Sequence, residues 1–335
     1  MVSTQGNPNR SLFWPLMLIG VGAIWLLSNI GILQPASIGM LFRLWPVILI
    51  IIGLDLLLGR NNPTLGTLIG LGGVALIIAL MLLGPSLGLV RSAEVKIGDY
   101  SEPLGDAKSA QVTIGVGVAT TTVQALDGSK ELFKADIRYL GDVEFTTTGE
   151  TDKVISLSQT GSVSTTPDFF GWFDSNQDLR WNIGLSKDIP LALEINSGVS
   201  ETTLDLSELK LTSLDVDGGV GKLTMSLPSM EESYNAVLKG GVGEFNVTIA
   251  KSAAVNLEVK GGVGGVVIDV PDDAAVRVDA QTGVGGINVP ANYTKVSGSD
   301  QTVGENGVWE TDNFNGSSRQ ISIRFEGGVG GLTIR

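Results

Sequence analysis

Five consecutive residues, Gly261-Gly262-Val263-Gly264-Gly265, have the composition of a phosphate cradle, in which glycine backbone amides close around an anion. That chemistry needs a helix directly after the loop, to aim its N-terminus at the phosphate. Here Val266, Ile268 and Val270 alternate as a strand does, and no Gly-Lys-Ser/Thr follows any glycine run. Nucleotide binding is not expected. Two acidic pairs, Glu231-Glu232 and Asp272-Asp273, have the oxygen chemistry of Ca²⁺ ligands. Both sit at or near proline-marked turns, and the Gly-Gly-x-Gly-x-Asp spacing of calcium β-rolls is absent, so solvated turn charges are expected.

Cys and His are both missing from the 335 residues. That removes every Ser-His-Asp or Cys-His nucleophile and every His- or Cys-ligated zinc site. Carboxylate pairs and Ser-Lys dyads stay formally open, but nothing singles one out. The expectation is a protein that is not an enzyme, with no cofactor and no metal. The net charge is −13, with 34 acids and 19 bases after residue 90, and no basic patch. Nucleic-acid binding through phosphates is not expected.

Two further groups could mediate contacts. Phe169, Phe170, Trp172 and Phe173, with Trp181 nearby, form the densest aromatic cluster outside the apolar segments. They read either as a surface for a partner, glycan or bilayer, or as a cap over an open end of the fold. Asp55 is the one acid among the first 90 residues. It reads either as an intramembrane functional ion or as an interfacial partner of Arg60.

The elements that hold these residues fall into two regions. Residues 1–11 read as a tail, and 12–90 as a transmembrane region with helices at about 12–33, 38–58 and 64–86. A crossing takes about 20 apolar residues. Phe13-Trp14-Pro15 and Leu44-Trp45-Pro46 open the first two segments alike, and Trp suits the interface. Gly66 and Gly70 form a Gly-x-x-x-Gly that would let helices approach closely. Three crossings put the two termini on opposite faces, and the positive charges barely choose between them.

Residues 91–106 read as a linker and 107–335 as an all-β domain, with repeats clearest from 197 to 335. The corners are Gly219-Val220-Gly221, Gly241-Val242-Gly243, Gly262-Val263-Gly264, Gly283-Val284-Gly285 and Gly328-Val329-Gly330. The first three steps are 22, 21 and 21 residues, a period that means stacked copies of one unit. Alternating strands flank each corner, so the expected fold is a β-solenoid of stacked, roughly 21-residue, two-strand coils. Leu223, Phe245, Val266, Ile287 and Leu332 are expected to form one interior ladder, and Val220, Val242, Val263, Val284 and Val329 a second. Asn292–Ser318 reads as an insertion or irregular coil, and the strands over 107–195 as a closing or capping region.

The paired Phe13-Trp14-Pro15 and Leu44-Trp45-Pro46 segments followed by Gly-Val-Gly strand repeats resemble the LiaF-like family of bacterial membrane proteins. The stretch from Trp181-Asn182-Ile183-Gly184-Leu185 through Ser197-Gly198-Val199 is similar to that family's approach to its repeats. The resemblance implies a LiaI/LiaF-type transmembrane region joined to a toast-rack β domain, with no catalytic residues to carry over. It implies a sensor or regulator of cell-envelope stress in the bacterial cell membrane, multi-pass, often beside a histidine kinase. Expected partners are the lipid bilayer, a histidine kinase or another membrane protein, and a second copy of the chain as a homo-oligomer. The β domain is expected on the extracytoplasmic side. The alternative is a membrane-anchored adhesin or cell-wall and polymer-binding module.

Overall fold

The computed structural model describes residues 13–30, 45–59, 63–83, 95–128, 130–160, 178–299 and 304–335. A helical unit lies within Met1–Glu94, and a β unit covers Val95–Ser162 and Asp178–Arg335.

The helical unit holds α1 (Phe13–Asn29), α2 (Trp45–Leu54), a π-helical turn (Asp55–Gly59) and α3 (Pro63–Leu83). Pro63 opens α3 where a missing N–H leaves no helical bond unmade. One face of α3 is buried, through Gly66, Gly70, Gly73 and Ile77, at the spacing of a single helical stripe. Ile24 of α1, Ile51 of α2 and Ile77 of α3 form the small core. Among the described residues, no helix is long and apolar enough to cross a membrane. The three segments expected to cross over 12–33, 38–58 and 64–86 are seen as three helical pieces.

The β unit has eighteen strands: β1 (Lys96–Pro103), β2 (Ser109–Val118), β3 (Thr120–Ala125), β4 (Glu131–Tyr139), β5 (Asp142–Thr148), β6 (Asp152–Thr160), β7 (Arg180–Leu185), β8 (Pro190–Asp205), β9 (Lys210–Leu227), β10 (Tyr234–Ile249), β11 (Val255–Val263), β12 (Val266–Asp269), β13 (Ala275–Val284), β14 (Ile287–Asn288), β15 (Tyr293–Ser299), β16 (Asn306–Thr311), β17 (Gln320–Val329) and β18 (Leu332–Ile334). Strands β8, β9 and β10 run unbroken through their glycine corners. Before the corner, β6, β2, β8, β9, β10, β11, β17 and β13 lie side by side, all parallel. After the corner, β7, β3, β8, β9, β10, β12, β18 and β14 do the same. Antiparallel strands close both ends: β5 pairs with β6, β1 and β4 extend β7, and β16 and β15 extend β13.

Two strands therefore meet at every corner, and one apolar core runs beneath both rows. In β9 the buried residues are Leu211, Leu214 and Val216 before the corner and Leu223, Met225 and Leu227 after it. Each alternates with outward residues, as a one-face-buried strand must. The expected ladder of Leu223, Phe245, Val266 and Leu332 is buried, and Ile287 packs against its end half-buried.

Three features go beyond or depart from the sequence reading. The presumed linker 91–106 contains β1, paired antiparallel with β4. The stretch Asn292–Ser318 contains the hairpin β15–β16 and a short 3₁₀ turn, Phe314–Gly316. The copies also do not stack in chain order. β17 and β18 sit between β11–β12 and β13–β14, so the last copy separates the two before it.

Candidate interaction surface

The corners form the most regular surface of the β unit. In register across seven parallel strands stand Val118, Val199, Val220, Val242, Val263, Val329 and Val284. The five valines of the glycine motifs were expected inside. They are instead 44–54% exposed, and Val118 is exposed too. The cause is a change of phase. Val216 and Leu223 are both buried yet lie an odd number of residues apart, so alternation cannot run unbroken between them. The corner takes up one residue, as a bulge does, and Val220 falls on the outward side. The same offset separates Leu238 from Phe245, Val259 from Val266, and Phe325 from Leu332, all of them buried.

Glycine is required here by close approach of stacked backbones. A Cβ at Gly264 would collide with the carbonyl oxygen of Gly243 on the neighbouring coil, and Gly264 has φ +143°. A Cβ at Gly330 would collide in turn with the carbonyl of Gly264. Backbones this close leave no room for side chains at the bend except the outward valine. One coil breaks the pattern. Ser200 stands where Gly221 stands one strand over, and its hydroxyl lies 2.7 Å from that of Thr202 and also pairs with Ser197.

Charged residues flank the valine row. Three residues before the valines from Val199 onward stand Asn196, Asp217, Lys239, Lys260, Glu326 and Gln281, in strand order, whereas Val118 is preceded by Gly115. Two residues after the valines from Val199 onward stand Glu201, Lys222 and Glu244, and then only glycine: Gly265, Gly331 and Gly286. The outer face of the first row carries a shallow hollow of about 490 Å³ lined by Asn235, Asn256, Arg277 and Arg324 among others. Several of its polar groups pair with one another or with neighbours, and a further ion pair stands close by. Asn256 donates to Asn235 at 3.0 Å, Lys239 lies 3.2 Å from Asp215, and Arg277 lies 2.5 Å from Glu310. Hydrogen bonding to Lys260 holds the Glu258 carboxyl below its ordinary range and raises Lys260 in return.

Trp181, read either as part of a contact surface or as part of a cap over an open end, is fully buried in β7 between β3 and β4. Its Nε1 and the Thr121 hydroxyl beside it in register are buried with no hydrogen-bond partner among the described residues. The other members of that cluster, Phe169, Phe170, Trp172 and Phe173, lie outside the described residues. The buried alternation Trp181, Ile183, Leu185 is the sequence signal that marks Trp181 as core.

In the helical unit, Gly66 and Gly70 lie on the buried face of α3. The tight approaches sit at two glycines not singled out from the sequence. A Cβ on Gly73 would stand 2.8 Å from Ile51 Cγ2, and one on Gly20 would stand 2.7 Å from Val74 Cγ2. Asp55 opens the π-helical turn, and its Oδ1 is buried with no hydrogen-bond partner among the described residues. Its expected partner Arg60 lies outside them.

Residues 12–57 match the family model of the LiaI-LiaF-like transmembrane region, and residues 90–249 match that of the N-terminal domain of toast_rack. The chain is LiaF-like. Its toast-rack match ends with β10, so the coils from β11 onward extend past the matched stretch. No curated protein matches the chain significantly. Among solved structures, a candidate cell adhesion protein from Clostridium sporogenes ATCC 15579 aligns with 72% of this LiaF-like chain and 99% of its own length, at 23% identity and a TM-score of 0.49. A candidate adhesin from Bacteroides fragilis NCTC 9343 aligns with 73% and 98%, at 9% identity and a TM-score of 0.24. Neither likeness is close enough to bear on function.

Proposed function

We propose that this LiaF-like chain is a membrane-anchored, non-enzymatic sensor or regulator of the cell-envelope stress response, acting through protein or membrane contacts. The carrying observation is the valine row: seven apolar side chains in register, six of them exposed and Val199 half-buried. Exposed apolar surface of that regularity marks a contact site, since solvated edges gain nothing from valine. The LiaI-LiaF-like match supports the membrane and the regulatory role. In this reading the apolar sequence over 12–33, 38–58 and 64–86 makes the protein multi-pass. The β unit is a solenoid of stacked coils on the extracytoplasmic side. A membrane histidine kinase is the partner class that the family suggests.

The adhesin or polymer-binding alternative rests on the face of the β unit or on the aromatic cluster binding glycan. With Trp181 in the core and the other members outside the described residues, the cluster gives it no observation of its own.

A reporter for envelope stress, read in cells exposed to a cell-wall antibiotic, tests the proposal. Cells carrying the full chain and cells carrying a chain lacking 95–335 are expected to differ in reporter output. Identical output over the full dose range would refute the regulatory role.

A further inference from the structure

We infer that the valine row is the contact face of a symmetric dimer of this chain, with the twofold axis along the row. The inference builds on the membrane-anchored reading above. It commits to a second copy as the occupant, and the charges beside the row give the reason.

A twofold axis along the row places each valine opposite the same valine of the copy. It also brings the flank before the row against the flank after it. Asp217 then meets Lys222 of the copy, and Lys239 meets Glu244 of the copy, each contact occurring twice. Asn196 meets Glu201. Lys260, Glu326 and Gln281 meet only glycines, at 265, 331 and 286. No like charges face each other. An antiparallel arrangement, with the axis across the row, does worse. Centred on Val242 it sets Lys239 and Glu244 each against its own copy, and centred between Val242 and Val263 it sets Asp217 against Glu326 and Lys239 against Lys260. Centred between Val220 and Val242 it pairs the charges but leaves Val284 outside the contact. Complementary charge of this kind fixes register and orientation. A bilayer surface fits the row poorly, because the acidic excess after residue 90 would meet anionic headgroups.

The footprint sets the conditions. Seven strands at about 4.8 Å spacing make a row about 29 Å long, and the strip from Asp217 to Lys222 is about 16 Å wide at ~3.3 Å per residue. About 460 Å² per copy falls below the roughly 800 Å² of a stable soluble interface. Confinement of both copies to one membrane raises their effective concentration and offsets the deficit.

The natural chain contains no cysteine, so single cysteines report cleanly. Full-length chains carrying Val220→Cys, Val242→Cys, Val263→Cys or Val329→Cys would be oxidised in native membranes and run without reductant. Every one of the four is expected to form a disulfide dimer, because each residue faces itself. Thr224→Cys, exposed on the outer face of the second row, is expected to stay monomeric. Asp217→Lys in the Val242→Cys background should cut dimer yield about threefold, the scale of lost rim ion pairs. Adding Lys222→Asp should restore it. Cross-linking at only one row position would mean an antiparallel contact and overturn the proposal. Monomers at all four would do the same, whether the valines prove shielded from a water-soluble maleimide by lipid or cross-link to a different protein. Failed cross-linking with an intact stress-reporter response removes the dimer and leaves the regulatory reading standing; cross-linking with no reporter response does the reverse.

Discussion

Val263 pairs in register with Val329, although Val284 is the next copy along the chain. The last coil is thus inserted between two that precede it, and β13 reaches β11 only through β17. Arg335 fastens the insertion, with its Nε 2.5 Å from Asp269 Oδ1 on β12, one coil away.

That order makes the inserted coil a keystone. Removing residues 320–335 deletes the buried Ile321, Ile323 and Phe325, and strips both β11 and β13 of a partner, uncovering Leu257 and Val278 beside the gap. The truncated chain is expected to lose protease resistance over the whole stretch from β11 to β16. Limited proteolysis with mass mapping reads this out. Cleavage confined to the sites next to the new end would contradict the insertion.

The corner glycines are expected to differ sharply from one another. Gly264→Ala meets the Gly243 carbonyl at a positive φ and should cost about 3 kcal/mol or more. Gly265→Ala, one residue on, meets nothing within 4 Å and should change stability by less than about 1 kcal/mol. Urea unfolding of the full chain in detergent, followed by circular dichroism, compares them. Equal losses would mean that the backbones do not approach as described.

Three of the four tyrosines are held above their ordinary pKa. Burial and the Tyr139 hydrogen bond push Tyr100 up to about 12, and burial alone pushes Tyr293 up to about 12. Tyr234, buried with its hydroxyl donating to the Pro228 carbonyl, is raised as well. A group whose folded pKa is raised favours the folded state below the unfolded value of about 10 and loses that contribution as pH rises toward 12. Stability should therefore fall between about pH 10 and 12, and Tyr234→Phe should make that fall shallower. Midpoints of urea unfolding measured across this range are the check. A flat profile would contradict the burial of these rings.

Much of this was legible in the sequence, and the failures share a cause. The corners, the two strands per copy and the ladder from Leu223 to Leu332 follow directly from period and alternation. Alternation offers only two faces, however, so it says which residues share a side and not where the phase slips. The slip between Val216 and Leu223 turned the whole valine row outward. The order of the coils was not legible because identical Gly-Val-Gly motifs align equally well with any copy. Nothing local distinguishes Val284 from Val329 as the neighbour of Val263. Nearness to other aromatics does not place Trp181; its own alternation with Ile183 and Leu185 does.

The claim on which the rest turns is that Val242 faces water while Val247, five residues on in the same strand, faces the core. Each is changed to Ser in the full chain, and unfolding is measured at concentrations where the chain is monomeric. Val242→Ser should shift stability by no more than about 0.5 kcal/mol, as a surface change does. Val247→Ser should cost about 3 kcal/mol, from lost apolar burial and an ill-satisfied hydroxyl. Equal losses at the two positions would return the valine row to the interior and contradict the account.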